Sequence, residues 1–153
     1  MWAASRAAKR SVCGRSTRSL AVVPQAPMLT FESSAFPVTS GEDEETNPGI
    51  FGRSLAEWLA NRLSERGIAT HGVIAEDFGW CVAVASEPHK LFVACSNAEE
   101  QQTLWQVFAF SEGGVLNRLL GRDKAAVALA ELHGNVKDIL SKEPSVSGMK
   151  EEA

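Results

Sequence analysis

The sequence predicts an α+β fold, in which a four- to five-stranded, mainly antiparallel sheet carries two long helices packed on one face. Two observations predict it. Four short apolar segments with strand character follow one another between residues 71 and 110, and a segment with helical periodicity lies on either side of them. Strands joined by short connections pair antiparallel, and helices that precede and follow such a sheet cover one of its faces.

The first long helix is predicted over residues 48–66. Its apolar residues recur with the spacing of one helical face, at Phe51, Leu55, Trp58, Leu59 and Leu63. Asn47 is the expected N-cap, because its side-chain oxygen can accept from the amides of the first turn. Pro48 suits the first helical position, and Gly67 is expected to end the helix.

An acidic run, Glu42–Glu45, precedes this helix. One interpretation is a site for a cation or a basic partner, because adjacent carboxylates can supply oxygen ligands. The favoured interpretation is a solvated run at the positive end of the helix dipole, since the residue spacing of a dedicated calcium loop is absent.

The remaining elements are assigned from the alternation of apolar residues and from turn residues. Strands are predicted over residues 29–38, 71–75, 78–85, 91–95 and 104–110, a short helical turn over 115–120 and a second long helix over 124–141. Asp123 is the expected N-cap of the second long helix. Val127 is placed on its apolar face, and Gly134 is interpreted as a point of close packing on the sheet.

A chain of 153 residues is expected to form one domain, which these elements place at residues 28–142. Residues 143–153 are predicted to be a disordered tail. Residues 1–27 contain five basic and no acidic residues and are predicted to be a disordered extension. Their composition is typical of a mitochondrial transit peptide. The favoured alternative is a start assigned too far upstream, with Met28 as the true first residue, because the strand pattern begins directly after it.

Charge is distributed unevenly along the chain. The total is −4, and the five basic residues in 1–27 leave −9 on the remainder. An acidic body is a poor match for the phosphate backbone, so no nucleic-acid partner is expected. No apolar run approaches the roughly 20 residues of a membrane-spanning helix, so we expect no membrane insertion and a cytoplasmic location.

Cys81 and Cys95 lie in adjacent predicted strands, and they would face each other if the connecting hairpin were centred on Pro88. One interpretation is a redox pair or half of a metal site. The favoured one is that both thiols are small apolar fillers of the core, because buried cysteine commonly has that role.

Catalytic and metal-binding motifs are absent from the sequence. The three histidines (His71, His89 and His133) fall on different elements, and no pair of cysteines has the close spacing of a zinc site, so no metal or other cofactor is expected. The sequence has neither a Gly-x-Ser-x-Gly nucleophile elbow nor a phosphate-binding loop. No catalytic residue is assigned, and enzymatic activity is not expected.

One phrase is a candidate for a binding surface. Glu76 and Asp77 stand in a predicted turn, and Gly79 and Trp80 lead into the strand that follows. With Arg53 from the first helix, they predict a polar pocket rimmed by aromatic groups. The alternative, which is favoured, is a tight turn built on the Asp-x-Gly pattern and followed by a core tryptophan.

The phrases EDEETNPG, LAEWL, EDFGWC and LFVACSN resemble a family of small bacterial domains with no established activity, over residues 29–142. The resemblance implies a compact bacterial α+β domain and supports Met28 as the first residue. It implies no catalytic residue.

The function predicted from these features is a non-enzymatic protein-binding or regulatory domain, whose acidic surface takes a basic protein partner. The alternative is a small-ligand-binding sensor or enzyme with a pocket formed by Arg53, Glu76, Asp77 and Trp80. A third hypothesis is a homodimer that forms through the sheet face left uncovered by helices.

Overall fold

The computed structural model describes residues 25–86, 89–99, 101–112 and 122–152. They form one six-stranded sheet in which every neighbouring pair is antiparallel, together with two long helices. The predicted α+β class is therefore confirmed, whereas the predicted number of strands is too low.

The elements follow one another in the order β-α-β-β-β-β-α-β. Their bounds are β1 Met28–Glu32, α1 Arg53–Glu65, β2 Thr70–Glu76, β3 Gly79–Ser86, β4 His89–Asn97, β5 Leu104–Glu112, α2 Arg122–Ser141 and β6 Ser147–Glu152. A short 3-10 turn precedes α1 at Glu42–Glu44. The order across the sheet is β2-β3-β4-β5-β1-β6, so that β2 and β6 form its two edges.

The main core lies between the sheet and the two helices. Alternate residues of the central strands point to this side, with Val82, Val93 and Val107 fully buried at the middle of β3, β4 and β5. From the helices, Leu59 of α1 and Leu140 of α2 are fully buried in the same cluster. Burial of this apolar surface is the main stabilising contribution to the fold.

The second face of the sheet carries a smaller apolar cluster. Phe92 and Phe110 stack with ring centroids 5.2 Å apart, and the ring centroids of Phe78 and Phe108 lie 6.3 and 5.7 Å from that of Phe110. All four side chains are buried or half-buried. Among the described residues, the large apolar side chains that are exposed are Ile74 and Val127. Three of the four rings, those of Phe78, Phe92 and Phe108, are only partly buried, so the cluster keeps some accessible apolar surface.

The ordered chain extends beyond both predicted domain boundaries. Residues 147–152, predicted to belong to a disordered tail, form β6, which pairs with β1 and places Met149 against the core. At the other end, Ala26 is buried and its N–H donates to the carbonyl of Ala109 over 2.8 Å. The predictions for residues 1–24 and for the helical turn at 115–120 fall outside the described residues.

Helix α1 begins at Arg53, five residues later than predicted, and Gly52 is its N-cap. Asn47, the predicted N-cap, is fully buried, and its side-chain amide donates to the backbone carbonyl of Asp77 over 3.0 Å. Asn47 therefore fixes a loop to the β2–β3 turn instead of capping the helix. The predicted first strand also ends early, at Glu32, and Phe36 beyond it packs against Trp58.

The two cysteines lie on opposite faces of the sheet. Cys81 pairs with Ala94, and Cys95 pairs with Trp80, which is one residue away from the register predicted with Pro88 at the centre. A shift of one residue moves a side chain to the other face of a sheet. A redox pair is therefore excluded by geometry, and the interpretation as buried fillers fits both residues. Burial raises the pKa of the Cys95 thiol and keeps it protonated.

Three predictions for α2 are wrong. The helix begins at Arg122, so Asp123 lies within its first turn and is not the N-cap. Val127 is 58% exposed, and Gly134 is also exposed, with no atom within 4 Å of the place where a Cβ would stand. Gly134 therefore marks no close packing on the sheet.

We expect the substitution Gly134→Ala to stabilise the protein by about 0.5–1 kcal/mol, because alanine lowers the entropy of the unfolded chain and meets no obstacle in the helix. A thermal unfolding curve should show a midpoint about 2–3 °C above that of the parent chain. A lower midpoint would contradict the open surroundings of this residue.

Strand β6 is attached to α2 by a cluster of charges that should respond to acid. Lys137 Nζ lies 2.6 Å from Glu151 Oε1, and His133 Nε2 lies 2.8 Å from Glu151 Oε2. Lys137 first, and then His133, holds the pKa of Glu151 below its ordinary value. A carboxyl group whose pKa is lowered by folding stabilises the fold at pH values above its ordinary pKa. This stabilisation is lost as the pH falls through the lowered pKa.

We therefore expect the hydrogen-exchange protection factors of β6 amides to fall as pH drops below about 4. Glu151→Gln should lower this protection already at neutral pH and weaken its dependence on pH. Glu152→Gln, on the neighbouring exposed residue, is the control. Identical pH profiles in all three chains would show that the cluster does not hold β6.

Candidate functional site

A groove of about 760 Å³ lies between α1 and the edge strand β2, and it is open to solvent. We call it the α1–β2 groove. Its lining residues are Glu45, Arg53, Glu57, Ala60, Asn61, Thr70, Gly72, Val73, Ile74, Ala75 and Trp80. The four from α1 are spaced as i, i+4, i+7 and i+8, which is one stripe along a helix. One wall of the groove is therefore a continuous helix face.

The other wall is the outer edge of β2. Val73, Ile74 and Ala75 are consecutive and point alternately to the two faces of the sheet, yet all three line the groove. The groove therefore lies on the α1 side of β2 and reaches the outer edge of the strand. Within the described part of the chain, no strand pairs with this edge. The register of β2 shifts between Thr70 and Val73, which marks a bulge near Gly72.

Arg53 and Trp80 meet at one end of the groove. The Arg53 guanidinium carbon lies 5.5 Å from the centre of the Trp80 ring, within the range of a cation–π contact. Arg53 Nε also donates to Glu57 Oε2 over 3.1 Å. Trp80 is only 4% exposed, and its indole N–H has no hydrogen-bond acceptor among the described residues. A buried donor without an acceptor costs about 1–3 kcal/mol.

Glu76 and Asp77, the other two residues of the predicted surface, lie beside the groove and do not line it. Glu76 pairs with Gly79 at the end of β2, and Asp77 stands in the following two-residue turn with 8% of its surface exposed. The structure thus brings two of the four predicted residues together, Arg53 and Trp80.

Two glycines fix the loop and the turn at this end of the groove. Gly52 and Gly79 have φ angles of +148° and +153°, and a Cβ on either would stand 2.5 Å from the carbonyl oxygen of Cys95. Side chains are sterically excluded at such a distance, and L residues rarely adopt such φ values. Both backbones can therefore approach β4 only because these residues are glycine.

Polar side chains complete the attachment of the loop before α1. Asn97 Oδ1 accepts from the N–H of Phe51 over 2.9 Å, and Asn97 Nδ2 donates to the carbonyl of Gly49 over 3.0 Å. The Asn97 side chain, at the end of β4, is thus the hydrogen-bond partner of two backbone groups of this loop. Without it, these groups would need water as a partner.

Glu42 caps the helix from outside it. One carboxylate oxygen accepts from the N–H groups of Gly52 and Arg53 over 2.7 and 2.8 Å, and the other accepts from the N–H of Thr39 over 3.1 Å. Glu42 is 3% exposed, so the predicted solvation of the whole acidic run is wrong at its first residue. A carboxylate does lie at the positive end of the helix dipole, as predicted, and it contacts the first amides of α1 directly. This contact fixes the orientation of the backbone at Arg53.

The end of the domain around the N-terminus of α1 is strongly acidic. The residues between 41 and 57, together with 76 and 77, contain seven carboxylates and a single basic residue, Arg53. Asn47 joins the two segments by its bond to Asp77, and Glu45 and Trp80 line the same groove. These two segments carry a net charge of −6 out of the −9 on residues 28–153, and two of their carboxylates, Glu45 and Glu57, line the groove.

Sequence reasoning missed the long walls of the groove, which include Glu57, Ala60 and Asn61 on α1 and Thr70 and Val73 on β2. One signal for the helix wall was present. Glu57 and Asn61 lie outside the apolar face predicted for α1, and a polar stripe next to a strand can line a groove. No comparable sequence signal indicates that β2 is an edge strand, because local periodicity does not report the order of strands in a sheet.

Within the described ranges, no group of three or more His, Cys, Asp or Glu side chains is arranged to hold a metal ion. None of the helices in these ranges is long and apolar enough to cross a membrane.

Comparison with known proteins identifies no relative. No protein-family model matches the chain, and neither a curated protein nor a solved structure matches it. The resemblance to a family of small bacterial domains therefore stays a prediction, and the function has to be argued from the geometry.

Proposed function

We propose that this protein is a non-enzymatic protein-binding domain and that the α1–β2 groove is its binding surface. The observation that carries the proposal is the construction of the groove, with a helix stripe on one side and, on the other, a strand edge that no strand in the described part of the chain pairs with. Such an arrangement offers backbone hydrogen-bonding groups and side-chain contacts together, which a segment of another protein can use.

The surrounding charge supports a basic partner. Seven carboxylates against one guanidinium at this end of the domain produce a negative field, and complementary charge raises the rate and selectivity of association. Arg53 adds little positive charge, because Glu57 pairs with it.

A small-ligand sensor or enzyme is the weaker candidate. That hypothesis requires Glu76 and Asp77 to converge with Arg53 and Trp80 on one enclosed pocket. Neither acid lines the groove, and the groove is open to solvent along its side. Both features favour a macromolecular partner.

We expect Glu57→Lys to weaken partner binding at least about tenfold, since it reverses a charge on the groove wall. Glu65→Lys is a matched control. It makes the same charge change on the same exposed helix surface and also breaks an arginine pair, Arg62–Glu65, but it does not line the groove.

The measurement is capture of proteins from source cells by the full chain and by each variant, with quantification by mass spectrometry. A basic protein that is retained by the parent and Glu65→Lys chains, and lost with Glu57→Lys, supports the proposal. Equal retention by all three chains would show that the groove is not the binding surface.

A further inference from the structure

The edge of β2 has the features of a surface that accepts an additional strand. In an edge strand, alternate residues direct N–H and C=O groups away from the sheet, where they can pair with an extended segment. Edges that are not used are commonly protected by a bulge, a proline or an inward-pointing charge. β2 has its bulge between Thr70 and Val73, which leaves Val73–Glu76 in regular register with β3.

The surroundings of this regular segment fit an extended chain. On one face, the groove provides Ala60 and Asn61 as small or polar helix residues opposite β2. On the other face, Ile74 is 42% exposed and stands beside the same edge. A strand added to Val73–Glu76 would place alternate side chains in the groove and next to Ile74, because side chains alternate across a sheet.

From these features we infer that the partner binds as an extended, basic segment that adds to the edge of β2 as a further strand. The inference rests on the proposed function and specifies how the groove is used. About four residues of the partner would pair with Val73–Glu76, since the bulge ends the regular ladder. Its lysine or arginine residues would face the carboxylates around the N-terminus of α1.

Charge argues against the edge of a second copy as the occupant. Pairing β2 with the β2 of another chain would bring together two ends that each carry seven carboxylates against one guanidinium. Like charges in an interface are unfavourable, whereas a basic segment relieves the repulsion.

The experiment selects binders from a library of random linear 12-residue peptides on the immobilised full chain, and discards those that also bind Glu57→Lys. The best peptide is then synthesised in two forms, with N-methyl groups on the odd or on the even residues. N-methylation removes hydrogen-bond donors from one edge of a strand and leaves the side chains in place.

We expect selected peptides rich in lysine and arginine. One N-methylated form should lose affinity at least about tenfold, while the other should bind as the unmodified peptide does. Equal binding by both forms, or selection of acidic peptides, would overturn strand addition and leave the proposed function standing. If instead Glu57→Lys retained the native partner from source cells as well as the parent chain does, the proposed function would be overturned.

Other occupants give distinct outcomes. If light scattering shows a dimer of the full chain that Glu57→Lys dissociates, the occupant is a second copy. If peptides are selected only after Arg6, Lys9, Arg10, Arg15 and Arg18 are replaced by glutamine in the full chain, the occupant is the chain's own N-terminal segment. Either result would overturn the inference. The inference would also be contradicted if neither the parent chain nor the chain with the five glutamine replacements selected a peptide that fails to bind Glu57→Lys.

Discussion

Replacing Gly52 or Gly79 by alanine is expected to destabilise the protein by about 3–5 kcal/mol. A Cβ at either position would stand 2.5 Å from the carbonyl oxygen of Cys95, and that backbone lies in the central strand β4, which cannot move without disturbing both neighbours. The φ angles of +148° and +153° add strain, because an L side chain rarely adopts them. The two costs act together at each position.

Chemical denaturation of the two variants measures this cost. Gly134→Ala is the matched control, since it makes the same chemical change where no atom stands within 4 Å and the backbone is helical. The control should be at least as stable as the parent chain, so the sign of the effect depends on the site alone. A loss below about 1 kcal/mol at both Gly52 and Gly79 would falsify the close approach to Cys95.

Glu42→Ala is expected to destabilise the protein by about 2–4 kcal/mol. The substitution leaves the N–H groups of Thr39, Gly52 and Arg53 without the carboxylate that accepts from them, in a place where Glu42 itself is almost fully buried. It also removes a negative charge from the positive end of α1.

The control for this variant is Glu44→Ala, because Glu44 belongs to the same acidic run and is exposed. Surface substitutions usually change stability by less than about 0.5 kcal/mol. Denaturation curves should therefore separate two glutamates that are two positions apart in the sequence. Similar losses for both variants would contradict a particular contribution from the contacts of Glu42.

Local patterns predicted most of the elements of this fold, because apolar periodicity reports which side of an element is buried. The start of α1 was missed for a physical reason. Asn47 and Pro48 are good capping residues by local criteria, but Asn47 bonds to Asp77, thirty residues away, and Glu42 supplies the cap from ten residues upstream. Long-range hydrogen bonds of this kind outweigh local preference.

Strand β6 was missed because Ser147–Glu152 contains a single large apolar residue, Met149. An edge strand buries little surface, and its stability comes from pairing with β1 and from the contacts of Glu151 with α2. None of these partners is adjacent in sequence, so a polar segment near the end of a chain resembles a disordered tail.

The candidate site was predictable only in its chemistry. Arg53 was chosen from the first predicted helix and Trp80 from the strand after the predicted turn, and the fold places them in contact. That β2 is an edge strand follows from the order β2-β3-β4-β5-β1-β6, in which β1 enters between β5 and β6. Such an order depends on the whole sheet, and therefore the groove could not be located from the sequence.

The register of the β3–β4 hairpin places Cys81 and Cys95 on opposite faces of the sheet. The two thiols are therefore independent chemical reporters of unfolding. Cys95 is inaccessible between sheet and helices, and Cys81 is inaccessible under the aromatic cluster of the other face. A thiol-alkylating reagent modifies a buried cysteine only when its layer opens. In a Cys13→Ser background, the alkylation rates of Cys95 and Cys81 therefore time the separation of the helices and the exposure of the second face as two distinct events.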